Sequence, residues 1–147
     1  MIITEAPNLN KKTAKILADI DKKCFEKDAY SEQDWMKTFN PDVSVLFAME
    51  KEKVVGAAVW EIYREARTGY LISNAVLPEY RGKRYGTHLL WSRINKAEAL
   101  GVKYLFAHTR ASNESSQHLL LTAGFKPVSI EHNYYPDEPA IQWKLKL

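Results

Sequence analysis

The side chain best suited to moving a proton at neutral pH is His108, set in Phe106-Ala107-His108-Thr109-Arg110. Imidazole is the one side chain whose ordinary titration falls between about pH 5 and 8. Strand alternation puts His108 on one face with Tyr104 and Phe106. From the residues alone, a hydrogen-bonded core histidine and a proton acceptor both remain open. A second group is the turn Arg81-Gly82-Lys83-Arg84-Tyr85-Gly86-Thr87. A glycine-containing turn that opens a helix leaves backbone N–H groups without acceptors, and three cations beside them favour an anion such as phosphate. A solvated helix cap is the plain alternative. The spacing is neither GxGxxG nor GxxxxGK[ST]. Tyr134 and Tyr135, in His132-Asn133-Tyr134-Tyr135-Pro136, read from the residues alone as a β-hairpin rim with stacked tyrosines. Tyr70 reads as a strand-start aromatic. His88, His118 and His132 read as surface residues. The single cysteine, Cys24, falls on an apolar stripe and reads as a small buried hydrophobe rather than a nucleophile. No Cys/His cluster suggests a metal.

These groups need a scaffold, and the sequence describes one. Ile2–Thr4 reads as a short strand. A helix from Asn10 carries Thr13, Ile16, Leu17, Ile20 and Cys24 at helical spacing. Ser31 with Asp34 forms a capping-box pattern, and Tyr30 and Trp35 have staple spacing, so a second helix starts there. Residues 43–49 and 54–64 alternate as a hairpin across the charged turn at 50–53, and residues 70–77 form a further strand. The basic turn leads into a helix with Leu90, Ile94 and Ala97 on one face, ended by Gly101. Residues 102–109 form a strand, Asn113 caps a short helix that stops at Gly124, and 126–134 and 141–147 are closing strands. The order is β-α-α-β-β-β-α-β-α-β-β, an α/β chain with a mixed sheet.

The chain has 147 residues, 46% hydrophobic and 27% charged, with a net charge of +3. That composition excludes a disordered or collagen-like chain, and the charge is too small to argue for nucleic acid. One domain over residues 1–147 is expected. No basic start precedes an apolar core at the N-terminus, and no apolar run of about 18 residues exists, so neither a secretory signal nor a membrane span is expected. A soluble protein of the reducing cytoplasm follows from these readings.

The segment Val76-Leu77-Pro78-Glu79-Tyr80-Arg81-Gly82-Lys83-Arg84-Tyr85-Gly86-Thr87 resembles motif A of the GCN5-related N-acetyltransferases, whose turn reads Arg/Gln-x-x-Gly-x-Gly/Ala. Arg81 and Gly86 match its ends, while Arg84 stands where the family usually has glycine. Asn113-Glu114-Ser115-Ser116 … Leu119-Leu120 … Gly124-Phe125 resembles motif B, with Leu120 in place of the family's tyrosine. Asn133-Tyr134-Tyr135-Pro136 … Glu138-Pro139-Ala140 is similar to the ending of the bacterial ribosomal-protein alanine N-acetyltransferases, and Cys24-Phe25 … Ala29-Tyr30-Ser31-Glu32 is a weaker match to the same group.

The resemblance implies a central, mostly antiparallel sheet with a splayed parallel pair and helices on both faces. It implies acetyl-CoA as co-substrate, with pyrophosphate on Arg81, Gly82, Lys83, Arg84, Tyr85, Gly86 and Thr87. The pantetheine arm would lie along the backbone of Ala75, Val76 and Leu77 and beside Asn113 and Ser116. It makes His108 the base, with Tyr70 as its tyrosine partner, and Tyr134 a proton donor. Tyr30, Tyr134 and Tyr135 would hold the acceptor. Leu120 cannot act as the acid that the family's tyrosine supplies.

The reaction implied is attack of a neutral amine on a thioester. At pH 7 roughly a tenth of an α-amine is already neutral, against fewer than about one in a thousand lysine side chains. The expected acceptor is a protein or peptide N-terminal α-amine. A polyamine, amino sugar or amino acid is the alternative, and a non-catalytic acyl-CoA-binding module is a second. A nucleic-acid binder using Arg81 to Arg84 lacks interleaved exposed aromatics. No metal, nucleic-acid or membrane partner is expected, and monomer and homodimer both remain open.

Overall fold

Side-chain caps set where the first helices begin. The computed structural model describes residues 1–147. In it the Asn10 side chain accepts from the Thr13 N–H at 3.1 Å, and α1 runs Lys11–Phe25. The Ser31 hydroxyl accepts from the Asp34 N–H at 3.1 Å, while the Asp34 carboxylate accepts from the Ser31 N–H at 2.9 Å, opening α2 over Glu32–Thr38. Each such cap is worth on the order of 1 kcal/mol. The Tyr30 ring lies tilted against Trp35, with centroids 4.8 Å apart. The remaining elements are β1 (Ile2–Glu5), β2 (Val43–Glu50), β3 (Lys53–Tyr63), β4 (Thr68–Val76), α3 (Tyr85–Ala99), β5 (Tyr104–Arg110), α4 (Glu114–Thr122), β6 (Lys126–Glu131) and β7 (Ala140–Lys146). The element order is the expected one. The hydrogen-bonded strand order is β1-β2-β3-β4-β5-β7-β6, with β4/β5 parallel and β1/β2, β2/β3, β5/β7 and β6/β7 antiparallel.

Packing divides the chain into two compact units, Met1–Glu61 with Ile72–Arg93, and Ile62–Leu71 with Ile94–Leu147. In the first, β2 and β3 are buried along most of their length, as strands covered on both faces are. Val43, Val45, Phe47, Ala57 and Val59 pack with Leu17, Ile20 and Trp35 of α1 and α2. Leu46, Ala48 and Ala58 pack with Tyr85 and Leu89 of α3. The register shift between Ala48 and Met49 skips Val55, which turns Val55 into this second cluster. A Cβ on Gly56 would sit 2.9 Å from the Ala75 carbonyl, so only glycine lets β4 come this close.

In the second unit, β5 alternates cleanly: Leu105, Ala107 and Thr109 are buried, while Tyr104, Phe106, His108 and Arg110 form a half-buried opposite face. The Trp143 indole N–H donates to the Thr109 hydroxyl at 2.9 Å, fixing β7 against β5. The parallel ladder runs from Thr68↔Tyr104 to Leu71↔Ala107; Ile72–Val76 and His108–Arg110 lie beyond its last pair. One expectation is corrected here. The strand read as running to Tyr134 ends at Glu131, and residues 132–139 form a loop. Pro136 and Pro139 have no N–H for a ladder and Asn133 suits a turn. Tyr134 is therefore a loop residue, free to fold back over the sheet face, and His132 is exposed in that loop rather than on a strand.

Candidate active site

Strand parity builds the centre of the site in the second unit. Tyr70 pairs in register with Phe106, so His108, two residues further along the same face of β5, is its diagonal neighbour. The Tyr70 hydroxyl hydrogen-bonds His108 Nδ1. The other ring nitrogen, Nε2, lies 3.0 Å from Glu131 Oε1, at the last residue of β6. The Tyr134 ring stacks on the imidazole, with centroids 4.2 Å apart and planes within 8°. Its hydroxyl lies 3.2 Å from that of Tyr70. Only 9% of the His108 side chain is exposed, whereas Tyr134 is open to solvent.

The loop that carries Tyr134 is pinned by Arg110. Its guanidinium donates to Asp137 at 2.7 Å and to Glu138 at 3.1 Å, and lies 4.1 Å from the centroid of the Tyr135 ring. Glu138 also accepts from the Ser112 N–H and the Ser112 hydroxyl, each at 2.8 Å. These donors, the Ser112 amide foremost, hold the Glu138 carboxyl below the usual carboxylate range. The Ala111 N–H closes the loop onto the Pro139 carbonyl at 3.0 Å.

Electrostatics assign directions to the hydrogens. Burial, reinforced by the Tyr134 hydroxyl, pushes the Tyr70 phenol far above its ordinary range. Tyr70 is thus kept protonated and can donate to Nδ1, leaving its oxygen to accept from Tyr134. Leu120 is buried, so the motif-B position supplies packing and no proton donor. Asn113 caps α4 by accepting from the Ser116 N–H at 3.1 Å. His88, His118 and His132 are exposed, as expected.

In the first unit the basic turn has the shape an anion site needs. Gly82 and Arg84 both take positive φ, 79° and 68°. Arg84 thus adopts the left-handed conformation that glycine adopts freely. The first internal bond of α3 is His88 N–H to the Arg84 carbonyl at 3.0 Å, so the first-turn amides of Tyr85, Gly86 and Thr87 have no intrahelical acceptor. Lys83 and Lys53 lie 5.4 and 5.3 Å from the centroid of the Tyr80 ring, gathering cations at the turn. Arg81 Nε donates to the Val76 carbonyl at 3.0 Å, joined there by the Cys24 thiol at 3.4 Å. Burial raises the Cys24 thiol, which keeps it a donor rather than a thiolate nucleophile. Leu77 spends its N–H on the Val55 carbonyl and its own carbonyl on the Tyr80 N–H, both at 2.9 Å, and its side chain is buried. Tyr30 is held by its backbone N–H, which donates to Asp21 at 3.1 Å. Burial raises the Asp21 carboxyl to about 6.

Two residues were missed by sequence reasoning. Glu131 lies two strands away from His108 across β7, beyond local spacing. Arg93 is 1% exposed and donates to the Ser73 carbonyl at 3.0 Å, the Val59 carbonyl at 3.3 Å and Asn74 Oδ1 at 2.7 Å, anchoring β4 to α3. Burial pushes its guanidinium down to about 9, still charged at neutral pH. Its signal was present: a cation at position 93, three residues after Leu90 and four before Ala97, sits on the apolar helix face.

No helix is long and apolar enough to cross a membrane, and no group of three or more His, Cys, Asp and Glu side chains is placed to hold a metal. Among known proteins, the chain is 31% identical over 87 residues to a ribosomal protein bS18-alanine N-acetyltransferase of Haemophilus ducreyi, a match covering 59% of each chain. The chain therefore spans about three-fifths of the length of that relative. Its fold superimposes on the crystal structure of the ribosomal-protein-S18-alanine N-acetyltransferase from Escherichia coli with a TM-score of 0.88 at 24% identity, covering 99% of this chain and 94% of the other. A crystal structure of aminoglycoside 6'-N-acetyltransferase complexed with coenzyme A gives a TM-score of 0.84 at 17% identity, covering 99% and 97%. At those identities the two structures speak for the fold alone. The sequence pattern of the acetyltransferase (GNAT) family matches residues 11–125, through both the basic turn and the His108 strand. The chain belongs to the acetyltransferase (GNAT) family.

Proposed function

We propose that this protein moves the acetyl group of acetyl-CoA to a primary amine by direct attack, and that the amine is the α-amine of a protein or peptide N-terminus. The observation that carries this reading is the Tyr70 hydroxyl, hydrogen-bonded at once to His108 Nδ1 and to the exposed Tyr134 hydroxyl. An ammonium has no lone pair, so a bound amine must first lose a proton. Tyr134 and Tyr70 each receive one proton and pass one on, and His108 Nδ1 takes the last. Hydrogen bonding from Tyr134 to Tyr70 to His108 points the chain inward, the direction that removal of a proton requires.

Acetyl-CoA supplies the acetyl group as a thioester. The first-turn amides of Tyr85, Gly86 and Thr87, with Lys83 and Arg84, fit its diphosphate; Arg81 and Gly82 shape the turn that presents them. Ala75 and Val76, at the end of β4, would lie along the pantetheine arm. Leu77, with its backbone groups spent and its side chain buried, is left out of that assignment. The Tyr134 hydroxyl, once it has relayed the amine proton, is the donor for the departing sulfur, a role Leu120 cannot fill. Tyr135, pinned by Arg110, would flank the acceptor beside Tyr134. Residues 1–147 would act as one acetyltransferase domain, and a ribosomal-protein acceptor would place it in the cytoplasm.

A screen of acetyl transfer to peptides differing in their first residue, beside spermidine and an aminoglycoside, tests the reading. Peptides beginning with alanine are expected to be favoured. A polyamine or aminoglycoside turned over faster than every peptide would move the acceptor class to small molecules. Acetyl-CoA binding with transfer to no amine would overturn the enzyme reading in favour of a binding module.

A further inference from the structure

His108 has both ring nitrogens occupied, and the two partners differ in kind. We infer that Glu131 is a positioning residue: by accepting the Nε2 hydrogen it fixes the His108 tautomer whose Nδ1 lone pair faces the Tyr70 hydroxyl. The inference rests on the acetyl-transfer reading for its consequence and on geometry for its substance.

A carboxylate can only accept, so the nitrogen 3.0 Å from Glu131 Oε1 must carry the hydrogen. The opposite tautomer would aim the Nε2 lone pair at the carboxylate and turn the Nδ1 hydrogen onto Tyr70. Tyr70 would then have to donate outward, and the chain could not take a proton from the acceptor side. With Glu131 in place, every hydrogen points inward, from Tyr134 to Tyr70, Tyr70 to Nδ1 and Nε2 to Glu131. When the proton arrives, the amine has lost one N–H, each tyrosine has exchanged one hydrogen, and His108 is an imidazolium beside a carboxylate.

The other groups around the imidazole do not compete for that role. Tyr70 comes from β4 and Tyr134 from the β6–β7 loop, and neither carries charge in this arrangement. Gln142, opposite His108 on β7, is neutral. Arg110, two residues along on β5, is engaged by Asp137 and Glu138. Lys144 of β7 lies 4.2 Å from the Tyr104 ring centroid, further down the strand. Glu131 is thus the anion at hydrogen-bond distance from the ring. Its side chain is 38% exposed, so solvent moderates its pull without removing it.

The test uses the full chain without ligand. Nitrogen-15 NMR of the wild-type imidazole should show Nε2 protonated and Nδ1 bare; Nδ1 protonated would overturn the inference whatever the variants do. In Glu131→Gln, whose side-chain amide can donate as well as accept, the nitrogen-15 signals should show the hydrogen shared between Nε2 and Nδ1. The plateau kcat should fall roughly tenfold, with KM for acetyl-CoA unchanged. Glu131→Asp should recover most of the rate. An unchanged tautomer in Glu131→Gln, with kcat lowered and not rescued by Glu131→Asp, would make Glu131 a structural residue and sink the inference. If the wild type acetylates no amine, the function proposed above fails, while the NMR result still decides the tautomer.

Discussion

The basic turn and the His108 cluster are built in opposite ways. The turn is seven consecutive residues whose chemistry is mostly backbone: two positive-φ positions and the bare amides that open α3. The cluster takes one side chain each from β4, β5, β6 and the β6–β7 loop, and its chemistry is entirely side chain. A backbone site tolerates changes of side chain provided the turn keeps its shape. A side-chain site fails when any one member is lost. The two regions should therefore respond differently to substitution.

The largest effect falls on the cluster. His108→Ala should lower kcat about 100- to 1000-fold at neutral pH, with the loss shrinking at high pH as amines deprotonate unaided, and KM for acetyl-CoA should stay near its original value. Steady-state rates across pH measure this. An equal loss at every pH would make His108 a packing residue and dissolve the contrast. Tyr70→Phe should act in the same direction, since it cuts the same chain while leaving the stack in place.

Those contrasting constructions also explain what could be read in advance. The turn is contiguous, so its glycines, cations and helix start were visible together. Alternation in residues 104–110 placed His108 on the correct face, and the Ser31–Asp34 box marked α2 to the residue. Glu131 was hidden because its link to His108 depends on β7 lying between β5 and β6, a register that no local pattern encodes. Alternation alone extends β6 to Tyr134, because it does not show where prolines turn the chain away.

The first unit has a pH response of its own, in stability rather than rate. The Asp21 carboxyl, raised from 3.8 to about 6, binds its proton more tightly folded than unfolded. The native state should therefore gain stability as pH falls from 6 towards 4, and hold a constant, lower value above 6. Asp21→Asn keeps an acceptor for the Tyr30 N–H and removes the buried charge. It should stabilise the protein by about 2 kcal/mol at pH 7, with the gain vanishing below about pH 4. Urea melts at the two pH values compare them. A variant less stable at pH 7 would mean the charge is favourable where it lies.

The turn should feel bulk more than charge. A Cβ at Gly86 would lie 3.4 Å from Asn74 Nδ2, an ordinary contact, so Gly86→Ala should be nearly silent. Gly86→Leu should crowd the first-turn amides and raise the Kd for acetyl-CoA about tenfold, as calorimetry would read it, with kcat at saturation changed little. A leucine variant that binds as well as wild type would remove the diphosphate from this turn.

The smallest effect concerns the one position where the turn departs from its family. Arg84 holds φ 68°, a conformation costing a side chain roughly 1 kcal/mol that glycine does not incur. Glycine loses more backbone entropy on folding, which offsets part of that gain. Arg84→Gly should therefore leave stability unchanged or raised by under about 1 kcal/mol, in contrast to the destabilisation expected where φ is negative. The same change removes one cation and no amide. If the backbone dominates binding, acetyl-CoA affinity should drop no more than about threefold, and the drop should disappear at high salt, where surface charges are screened. A loss that persists at high salt would show the guanidinium making a contact the amides cannot replace, and the turn would then share the side-chain dependence of the His108 cluster.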